Sequence, residues 1–426
     1  MKVRMDELIQ AVATALEIVE IKLLGASENH GKRIAVLCSM MGKELRLSED
    51  EIKVITTCAL FHDNALTEYI LSERASGKEK AINLKLHCIY GQRNIESLLF
   101  GTASSYEKDL ILFHHEQADG GGPFGKKEGE FPLGAELIAI ADMVDVNYQL
   151  QNVSGEKLSS LKEEIAAQSG KQYTKTATDA MLAILDQDVL VSLRDENINE
   201  TTGNSIPHWE VDINDEALIR IADLSAKVID YTSAFTRRHS VQTAEIVGIM
   251  CRYYEFDPTL RTKAYLAASL HDIGKLATPT EILEKSGKLD EHEYYIIRDH
   301  ARVTYELLKG VTGFEEICIW ASDHHEKLDG SGYHFGKKAN ELDFVSRLIA
   351  CADMYQAIGE VRPYHPARDH EETMEIIMDL ANRGLIDRKI ATDLDVVLAQ
   401  NSVQPFCQSN QNAFTQNTLQ LLHSLC

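Results

Sequence analysis

The stretch TKAYLAASLHDIGK, residues 262–275, indicates the fold class of this chain. It is apolar on most faces, which predicts a buried helix, and a histidine and an aspartate, His271 and Asp272, stand side by side toward its end. A second stretch, SVQTAEIVGIMCRYY (240–254), spaces its apolar residues by three and four, which is the period of a helix. Strand-like alternation is scarce. We therefore predict an all-α protein built from two helical bundles.

The chain repeats itself after about 210 residues. His30 and His62 are 32 residues apart, and so are His239 and His271. The matching segments are ENHGKRIAVLC with RRHSVQTAEIV, CALFHDNAL with ASLHDIGKL, LHCIYGQRNIESLL with DHARVTYELLKG, HHEQADGGGPF with HHEKLDGSGYH, and LIAIADMVD with LIACADMYQ. This period is too long for a solenoid, so it indicates a tandem domain duplication.

The boundary between the two copies is predicted in the polar segment DENINETTGNSIPHWEVD, residues 195–212, because it lacks apolar periodicity. We predict a first domain over 1–200 and a second over 208–426. The first residues, MKVRMDELIQAVATALEIVEIKLL, carry several acidic side chains and predict an amphipathic helix instead of a signal peptide.

Charge and cysteine usage limit the partners of the chain. The net charge is -23 at pH 7, and a surface this acidic repels nucleic acid polymers and anionic membranes. No apolar run approaches the roughly 20 residues that a membrane span needs. The 8 cysteines are scattered without a CxxC pair, which favours reduced core cysteines in a cytoplasmic protein.

Ten of the 16 histidines fall at matched positions, and each copy adds two aspartates. The first set is His30, His62, Asp63, His87, His114, His115 and Asp142. The second set is His239, His271, Asp272, His300, His324, His325 and Asp353. A lone histidine on an apolar helix is more often a hydrogen-bonded core residue than a ligand. A whole set of buried polar groups needs partners, however, and a metal would satisfy them together.

The ligand types and their number limit the metal. Imidazole and carboxylate without thiolate suit Fe, Mn, Ni, Co or Zn better than Ca or Mg. Seven ligands exceed one tetrahedral shell, so we predict two divalent ions bridged by a carboxylate. Such a pair is typical of sites that hydrolyse phosphoesters.

Three motifs of the second copy occur in a fixed order: HDIGK (271–275), HHEKLDGSGY (324–333) and ADMYQAIGEVRPY (352–364). Together they resemble the HD-GYP branch of the HD phosphohydrolase superfamily, over nearly all of the second copy. The resemblance implies a metal-dependent phosphodiesterase that hydrolyses cyclic di-GMP or 3'3'-cyclic GMP-AMP to the linear dinucleotide, to mononucleotides, or to both. Two alternatives stay open: an HD-type phosphohydrolase of another nucleotide, and a non-catalytic cyclic-dinucleotide sensor.

The resemblance also implies a role for each site residue of the second copy. Its seven matched residues would be the metal ligands, with Asp272 as the bridge. Lys275, one helical turn after His271, would hold a phosphate oxygen, which makes Asp272 and Lys275 the predicted catalytic residues. The predicted substrate contacts are Lys275, Arg347, Arg362, Tyr333, Gly330 and Gly332. Some members hold a third metal with a glutamate at the position of Phe235 here, so two ions are expected.

The first copy keeps all seven ligand positions, so we predict that it too can hold metal. Its lysine position is Leu66, its GxGY turn reads Gly120-Gly121-Gly122-Pro123, and it has no Arg-Pro-Tyr. We therefore predict a degenerate HD domain that regulates the second domain or pairs with it, within the chain or in a homodimer. The alternatives are a domain that only completes a shared core and a second phosphohydrolase with another substrate.

Overall fold

A computed structural model of the chain describes residues 2–24, 27–65, 83–95, 108–213, 221, 234–283, 285, 287–360 and 368–400. Regular structure in these ranges is almost entirely helical, which confirms the all-α prediction. Two three-residue strands, β1 (Lys2–Arg4) and β2 (Glu210–Asp212), pair antiparallel with Val3 opposite Val211. The predicted N-terminal helix therefore begins at Met5, because the residues before it pair with β2.

The helices follow the two repeats. Those of the first are α1 (Met5–Leu24), α2 (His30–Glu44), α3 (Glu49–Leu60), α4 (Leu84–Ile95), α5 (Leu133–Tyr148), α6 (Leu158–Ala167), α7 (Lys175–Ile184), α8 (Gln187–Ser192) and α9 (Ile198–Ser205). Those of the second are α10 (Ala234–Tyr253), α11 (Pro258–Leu270), α12 (Thr280–Leu283), α13 (Glu291–Arg298), α14 (His300–Leu308), α15 (Glu315–Ser322), α16 (Phe344–Gly359), α17 (His370–Asn382) and α18 (Arg388–Gln400). Short 3-10 helices cover Leu150–Asn152, Gly155–Lys157 and Ile273–Ala277.

The described residues group into two compact units. The first contains residues up to 234 with 273–279 and 306–315, and the second contains 235–272, 280–305 and the residues from 316 onward. The predicted domain limits, 1–200 and 208–426, remain a proposal, as does any pairing of the two domains.

The segment predicted as an irregular boundary is folded, because it contains α9 and β2. Ile198 and Thr202 lie one helical turn apart and are both buried. From α2, the Ser39 hydroxyl and the Lys43 ammonium donate to the carbonyl of Ser205 at 2.6 and 2.9 Å. Polar composition therefore concealed a helix whose few apolar positions pack on α2.

Helix α2 lies at the centre of the first unit, where it contacts α3, α5, α7 and α9. Most of its length is buried, which matches its run of small and apolar side chains. Helix α3 begins with a capping box, in which the Ser48 hydroxyl accepts from the Glu51 amide and the Glu51 carboxylate accepts from the Ser48 amide. These contacts position the two helices that carry His30 and precede His62.

In the second unit, α11 is the buried helix that the opening stretch predicts. Asp257 caps its first turn by accepting from the amides of Thr259 and Leu260, and every residue from Ala264 to Leu270 is buried. The α-helix ends at Leu270, and Lys275 lies in the following 3-10 helix. The predicted spacing of one α-helical turn between His271 and Lys275 is therefore wrong, because the helix stops before either residue.

Two expectations from composition meet the structure directly. The six cysteines in the described ranges are buried and form no disulfide, as predicted. Among the helices that the structure describes, none is both long and apolar enough to span a bilayer.

Candidate metal centre

Helix ends position three ligand histidines of the second repeat. The last carbonyls of a helix lack intrahelical partners, and each of these histidines follows a helix closely enough to bond one. Their Nδ1 atoms contact carbonyls three residues earlier: His271 to Ala268 at 2.7 Å, His324 to Ala321 at 2.7 Å and His300 to Ile297 at 2.5 Å. Because a carbonyl can only accept, Nδ1 carries the proton and Nε2 is left as the metal-binding atom.

The carboxylate of Asp272 lies between two groups of these histidines, and its side chain is fully buried. Its Oδ2 is 3.3 Å from Nε2 of His271 and 3.9 Å from Nε2 of His239. Its Oδ1 is 3.7 Å from Nε2 of His300 and 3.8 Å from Nε2 of His324. The two oxygens therefore face two different ligand groups, as the predicted bridging role requires.

Asp353 completes the first group and connects it to the remaining histidine. Its Oδ1 is 2.7 Å from Nε2 of His239 and 3.5 Å from Nε2 of His271. Its Oδ2 is 3.6 Å from Nδ1 of His325. Possible ligand atoms lie within 4.8 Å of one another in two sets, His239–His271–Asp353 and His300–His324–His325. All seven predicted ligands are thus together.

Without a metal, the charges of this cluster are strongly coupled. Burial lowers the pKa of His271, but the adjacent carboxylates of Asp272 and Asp353 raise it to about 10. Burial and the neighbouring histidines hold the pKa of His324 well below its usual value. His239 and His271 hold the pKa of Asp353 well below its usual value although burial acts in the opposite direction. Histidine protons thus balance the carboxylates that a cation would otherwise neutralise.

The first repeat has the same division. Asp63 places Oδ2 3.4 Å from Nε2 of His62, and Oδ1 3.1 Å from Nε2 of His87 and 3.9 Å from Nε2 of His114. Asp142 faces His30 and His62 at 3.3 and 3.7 Å. The ring centre of His115 is 3.9 Å from that of His114. The seven predicted positions of this repeat are therefore also brought together.

Both clusters suit a divalent metal. In the described part of the chain, Nε2 of His271 and Nε2 of His62 are buried and make no hydrogen bond. Such an atom has a large desolvation cost unless a cation coordinates it. The surrounding donors are imidazole nitrogens and carboxylate oxygens, which favour transition metals over Ca and Mg. These residues can hold a metal in each repeat.

The two clusters differ behind their first histidine. In the first repeat, Nδ1 of His30 contacts Asp145 at 2.7 Å, and the fully buried Arg33 donates to the same carboxylate at 2.8 Å. The matched positions of the second repeat, three residues after His239 and after Asp353, are Gln242 and Gln356. Their side-chain amides bond each other at 2.6 Å. An ion pair therefore supports one site where a neutral amide pair lies beside the other.

Nδ1 of His239 faces a residue that sequence reasoning did not identify. It lies 3.7 Å from Oε2 of Glu360, whereas the matched His30 faces Asp145. Glu360 is seven residues after Asp353, and Asp145 is three residues after Asp142. The two supporting carboxylates thus occupy unmatched positions, so the repeat alignment could not reveal them.

The glycine loop after the double histidine has the same construction in both repeats. The Glu326 carboxylate accepts from the amides of Phe335, Gly336 and Lys337 at 2.8 to 3.1 Å, and Glu116 accepts from Phe124 and Lys126. Gly332 and Gly122 each pack so closely that an added Cβ would be 2.5 Å from the Cα of that glutamate. The prediction that the first repeat lost this turn is therefore wrong.

Loop length is the real difference. Between the glutamate and the phenylalanine that donates to it there is one residue more in the second repeat, which has Tyr333-His334 where the first has Pro123. His334 adopts a positive φ of 62°, which accommodates the extra residue. Of the two roles considered for Glu326, orienting histidines or capping a helix, the structure favours neither, since its carboxylate organises the loop. Asp329 likewise accepts from the Ser331 amide at 2.9 Å.

The predicted substrate contacts have different surroundings. The Arg347 guanidinium donates to the carbonyls of Ala339 and Leu342 and to the Asp387 carboxylate, which favours a structural role. Gly330, with φ +83°, and Gly332 have structural reasons in the loop. Lys275 is half-buried, and Arg362 and Leu66 lie outside the described residues. The substrate roles of all these residues remain predictions.

Tyr333 lies directly against the cluster, with its ring centre 4.5 Å from that of His325. Two residues of α13 that sequence reasoning missed surround it. The hydroxyl of Tyr294 bonds that of Tyr333 at 3.3 Å, and the Arg298 guanidinium lies 5.0 Å from the Tyr333 ring centre. The position of Arg298, two residues before His300, was the available signal.

Comparison with known proteins gives the same answer along the chain. The HD domain family model matches residues 223–390. A 3'3'-cGAMP-specific phosphodiesterase 1 of Vibrio cholerae is 30% identical over 88% of this chain and 88% of its own length. The cyclic di-GMP phosphodiesterase response regulator RpfG of Xanthomonas campestris is 36% identical over 33% of this chain and 38% of its own. A cyclic GMP-AMP specific phosphodiesterase structure from V. cholerae shares the fold, with TM-score 0.65, 24% identity, and coverage of 94% of this chain and 99% of that one. The chain belongs to the HD-GYP branch of the HD-domain family.

Proposed function

We propose that this chain is a metal-dependent phosphodiesterase that hydrolyses cyclic dinucleotides, 3'3'-cyclic GMP-AMP or cyclic di-GMP, to the linear dinucleotide, to mononucleotides, or to both. The curated relatives that it resembles are named for activity on these two substrates. The relative that matches most of its length is named for the GMP-AMP hybrid, which favours that substrate.

One observation supports this function most strongly: the buried Asp272 carboxylate faces His239 and His271 with one oxygen and His300 and His324 with the other. A carboxylate with two occupied sides is suited to bridge two cations. The ligands would be His239, His271, Asp272, His300, His324, His325 and Asp353. We propose two divalent ions of Fe, Mn, Ni, Co or Zn, since imidazole and carboxylate donors suit these metals.

The protein residues around this centre have separate tasks. When bound, the divalent ions would supply Lewis-acid chemistry and an activated water to the phosphoester. The Nδ1–carbonyl bonds of His271, His300 and His324 fix the orientation of the rings. We assign Lys275 to a non-bridging phosphate oxygen, where its charge would stabilise the transition state. Tyr333, beside His325, would bound the substrate site.

The first repeat would hold metal through His30, His62, Asp63, His87, His114, His115 and Asp142, but we propose that it contributes little turnover. Its lysine position is Leu66, and it has Pro123 where the second repeat has Tyr333. It would regulate the second repeat or support it structurally.

The experiment compares two matched double variants of the full chain. His271→Ala with Asp272→Asn removes the second cluster, and His62→Ala with Asp63→Asn makes the same change in the first. Each protein is incubated with cyclic di-GMP and with 3'3'-cyclic GMP-AMP, the products are separated, and the metal content is measured. The second-cluster variant is expected to lose at least about 10³-fold in turnover, and the first-cluster variant less than about tenfold.

Either of two results would contradict the proposal. Wild-type protein that binds metal but leaves both cyclic dinucleotides intact would indicate a sensor or a hydrolase of another nucleotide. Equal loss in the two variants would place chemistry in both repeats.

A further inference from the structure

Three side chains of the second repeat form a cationic–aromatic cluster outside the predicted metal ligands. Tyr294 and Arg298 lie four residues apart on α13, so they share one face of the helix. The Arg298 guanidinium carbon is 5.0 Å from the Tyr333 ring centre and 5.8 Å from that of Tyr294. Its Nη2 donates to the carbonyl of Gly332 at 3.1 Å. The guanidinium is thereby held in a defined plane.

The cluster continues directly from the metal centre to the surface. Tyr333 donates its amide to the carbonyl of His325 at 3.1 Å and packs its ring against that histidine. At the other end, Tyr294 is 45% exposed. Among the described residues, Arg298 makes the single hydrogen bond to Gly332, so most of its five N–H donors are available to a ligand.

We propose that Tyr294, Arg298 and Tyr333 form a guanine-binding subsite of the second repeat, an inference that rests on the proposed function. An exposed tyrosine ring offers a face on which a base can stack. A guanidinium fixed in its plane can donate two parallel hydrogen bonds to O6 and N7 of guanine, which adenine cannot accept in the same way. Cyclic di-GMP and cyclic GMP-AMP both contain guanine, so one such subsite serves either substrate.

The first repeat lacks these features. Lys85, two residues before His87, lies 5.1 Å from the ring centre of Phe124. A lysine is a point charge that cannot present two parallel donors, and Pro123 provides no ring for stacking. The difference agrees with the weaker role proposed for the first repeat.

The test measures binding to the metal-loaded full chain and needs no turnover. Calorimetry gives the dissociation constants of phosphorothioate analogues of cyclic di-GMP and cyclic di-AMP, which resist hydrolysis. Arg298→Gln is expected to weaken the guanine analogue about tenfold or more and to change the adenine analogue by less than about twofold. Tyr294→Ala is expected to weaken the guanine analogue several-fold, and Tyr294→Phe to retain its affinity. Arg302→Gln, which removes a nearby exposed arginine paired with Asp299, serves as the control.

Two results would overturn the guanine subsite. Arg298→Gln with unchanged affinity for both analogues would show that the guanidinium does not touch the ligand. Equal weakening of both analogues would show a phosphate contact instead. Arg298→Lys, which keeps the charge, is expected to behave like Arg298→Gln if the two parallel donors matter. A chain without hydrolytic activity would refute the proposed function but would leave this binding comparison decisive.

Discussion

A histidine that follows a helix can bond the last free carbonyl of the helix and still offer Nε2 to a metal. His324 does this with Ala321, and its neighbour His325 faces Asp353 through Nδ1 instead. Two adjacent histidines can therefore serve one centre because they present different nitrogens. The same principle applies to His271 and Asp272, where the helix ends before the pair and frees both side chains from helical spacing.

The metal-free protein should lose stability as pH rises above neutral. Asp142 and Asp145 raise the pKa of His30 to about 10 against the lowering effect of burial, and the pKa of His271 is raised to about 10 likewise. A raised pKa stabilises the fold fully below the unfolded value of about 6.5 and loses that contribution as pH approaches 10. Chelator-treated protein should therefore melt at progressively lower temperature between pH 6.5 and 9.

The control is His30→Asn with His271→Asn, which should flatten that slope. Metal loading should reverse the trend at low pH, because binding must displace histidine protons and so strengthens as pH rises. A melting temperature of the metal-free protein that increases with pH in this window would contradict the assignment of the histidine charges.

The Arg33–Asp145 ion pair makes the first site sensitive to single substitutions. Both side chains are buried, so Asp145→Asn leaves an uncompensated charge and should lower the free energy of unfolding by about 3–5 kcal/mol. The double change Arg33→Gln with Asp145→Gln copies the amide pair of Gln242 and Gln356 and should recover most of that loss. Chemical denaturation of the single and double variants measures the coupling. Additive losses would show that the pair is not a unit.

At the scale of elements, sequence patterns predicted what depends on local order. The apolar α11 and the ligand set of each repeat were readable because helical period and residue type are local properties. Helix termination was not readable: Lys275 was placed one turn from His271, yet the helix had already ended. Helix α9 was missed because its burial depends on α2, far away in sequence. The shared loop was missed because the shape around Glu116 and Glu326 is set by backbone contacts and not by the identity of the turn residues.

The glycine loop gives a prediction at this scale. A Cβ at Gly332 would be 2.5 Å from the Cα of Glu326, so Gly332→Ala must displace backbone and should cost about 1–3 kcal/mol. Gly122→Ala should have a similar cost in the first repeat. Gly310→Ala, where an added Cβ meets open space, is the control and should be nearly neutral. Because Tyr333 follows Gly332, only the second-repeat variant should also weaken substrate affinity. Equal affinity loss for Gly122→Ala would contradict this assignment.

At the scale of the whole molecule, two similar clusters occur within one chain, and the supporting residues behind them differ. The seven ligand types recur in each repeat, whereas the Arg33–Asp145 pair and the Tyr294–Arg298–Tyr333 cluster each belong to one repeat. Metal binding and substrate binding thus depend on separable residues. A chain of this kind can keep a metal in a domain whose substrate contacts have changed.

Metal content measures this separation. With two ions per cluster, wild-type protein should carry about four per chain. The His271→Ala, Asp272→Asn variant should lose about two ions and its turnover, and the His62→Ala, Asp63→Asn variant should lose about two ions and retain most turnover. Elemental analysis after dialysis, with thermal melting to verify folding, gives the counts. A wild-type count near two that falls only with the second-cluster variant would show that the first cluster, with its protonated His30 and buried Arg33, is stable without metal. In that case the raised histidine pKa values of the first repeat would be its functional state, and the ion pair behind His30 would act as the substitute for a cation.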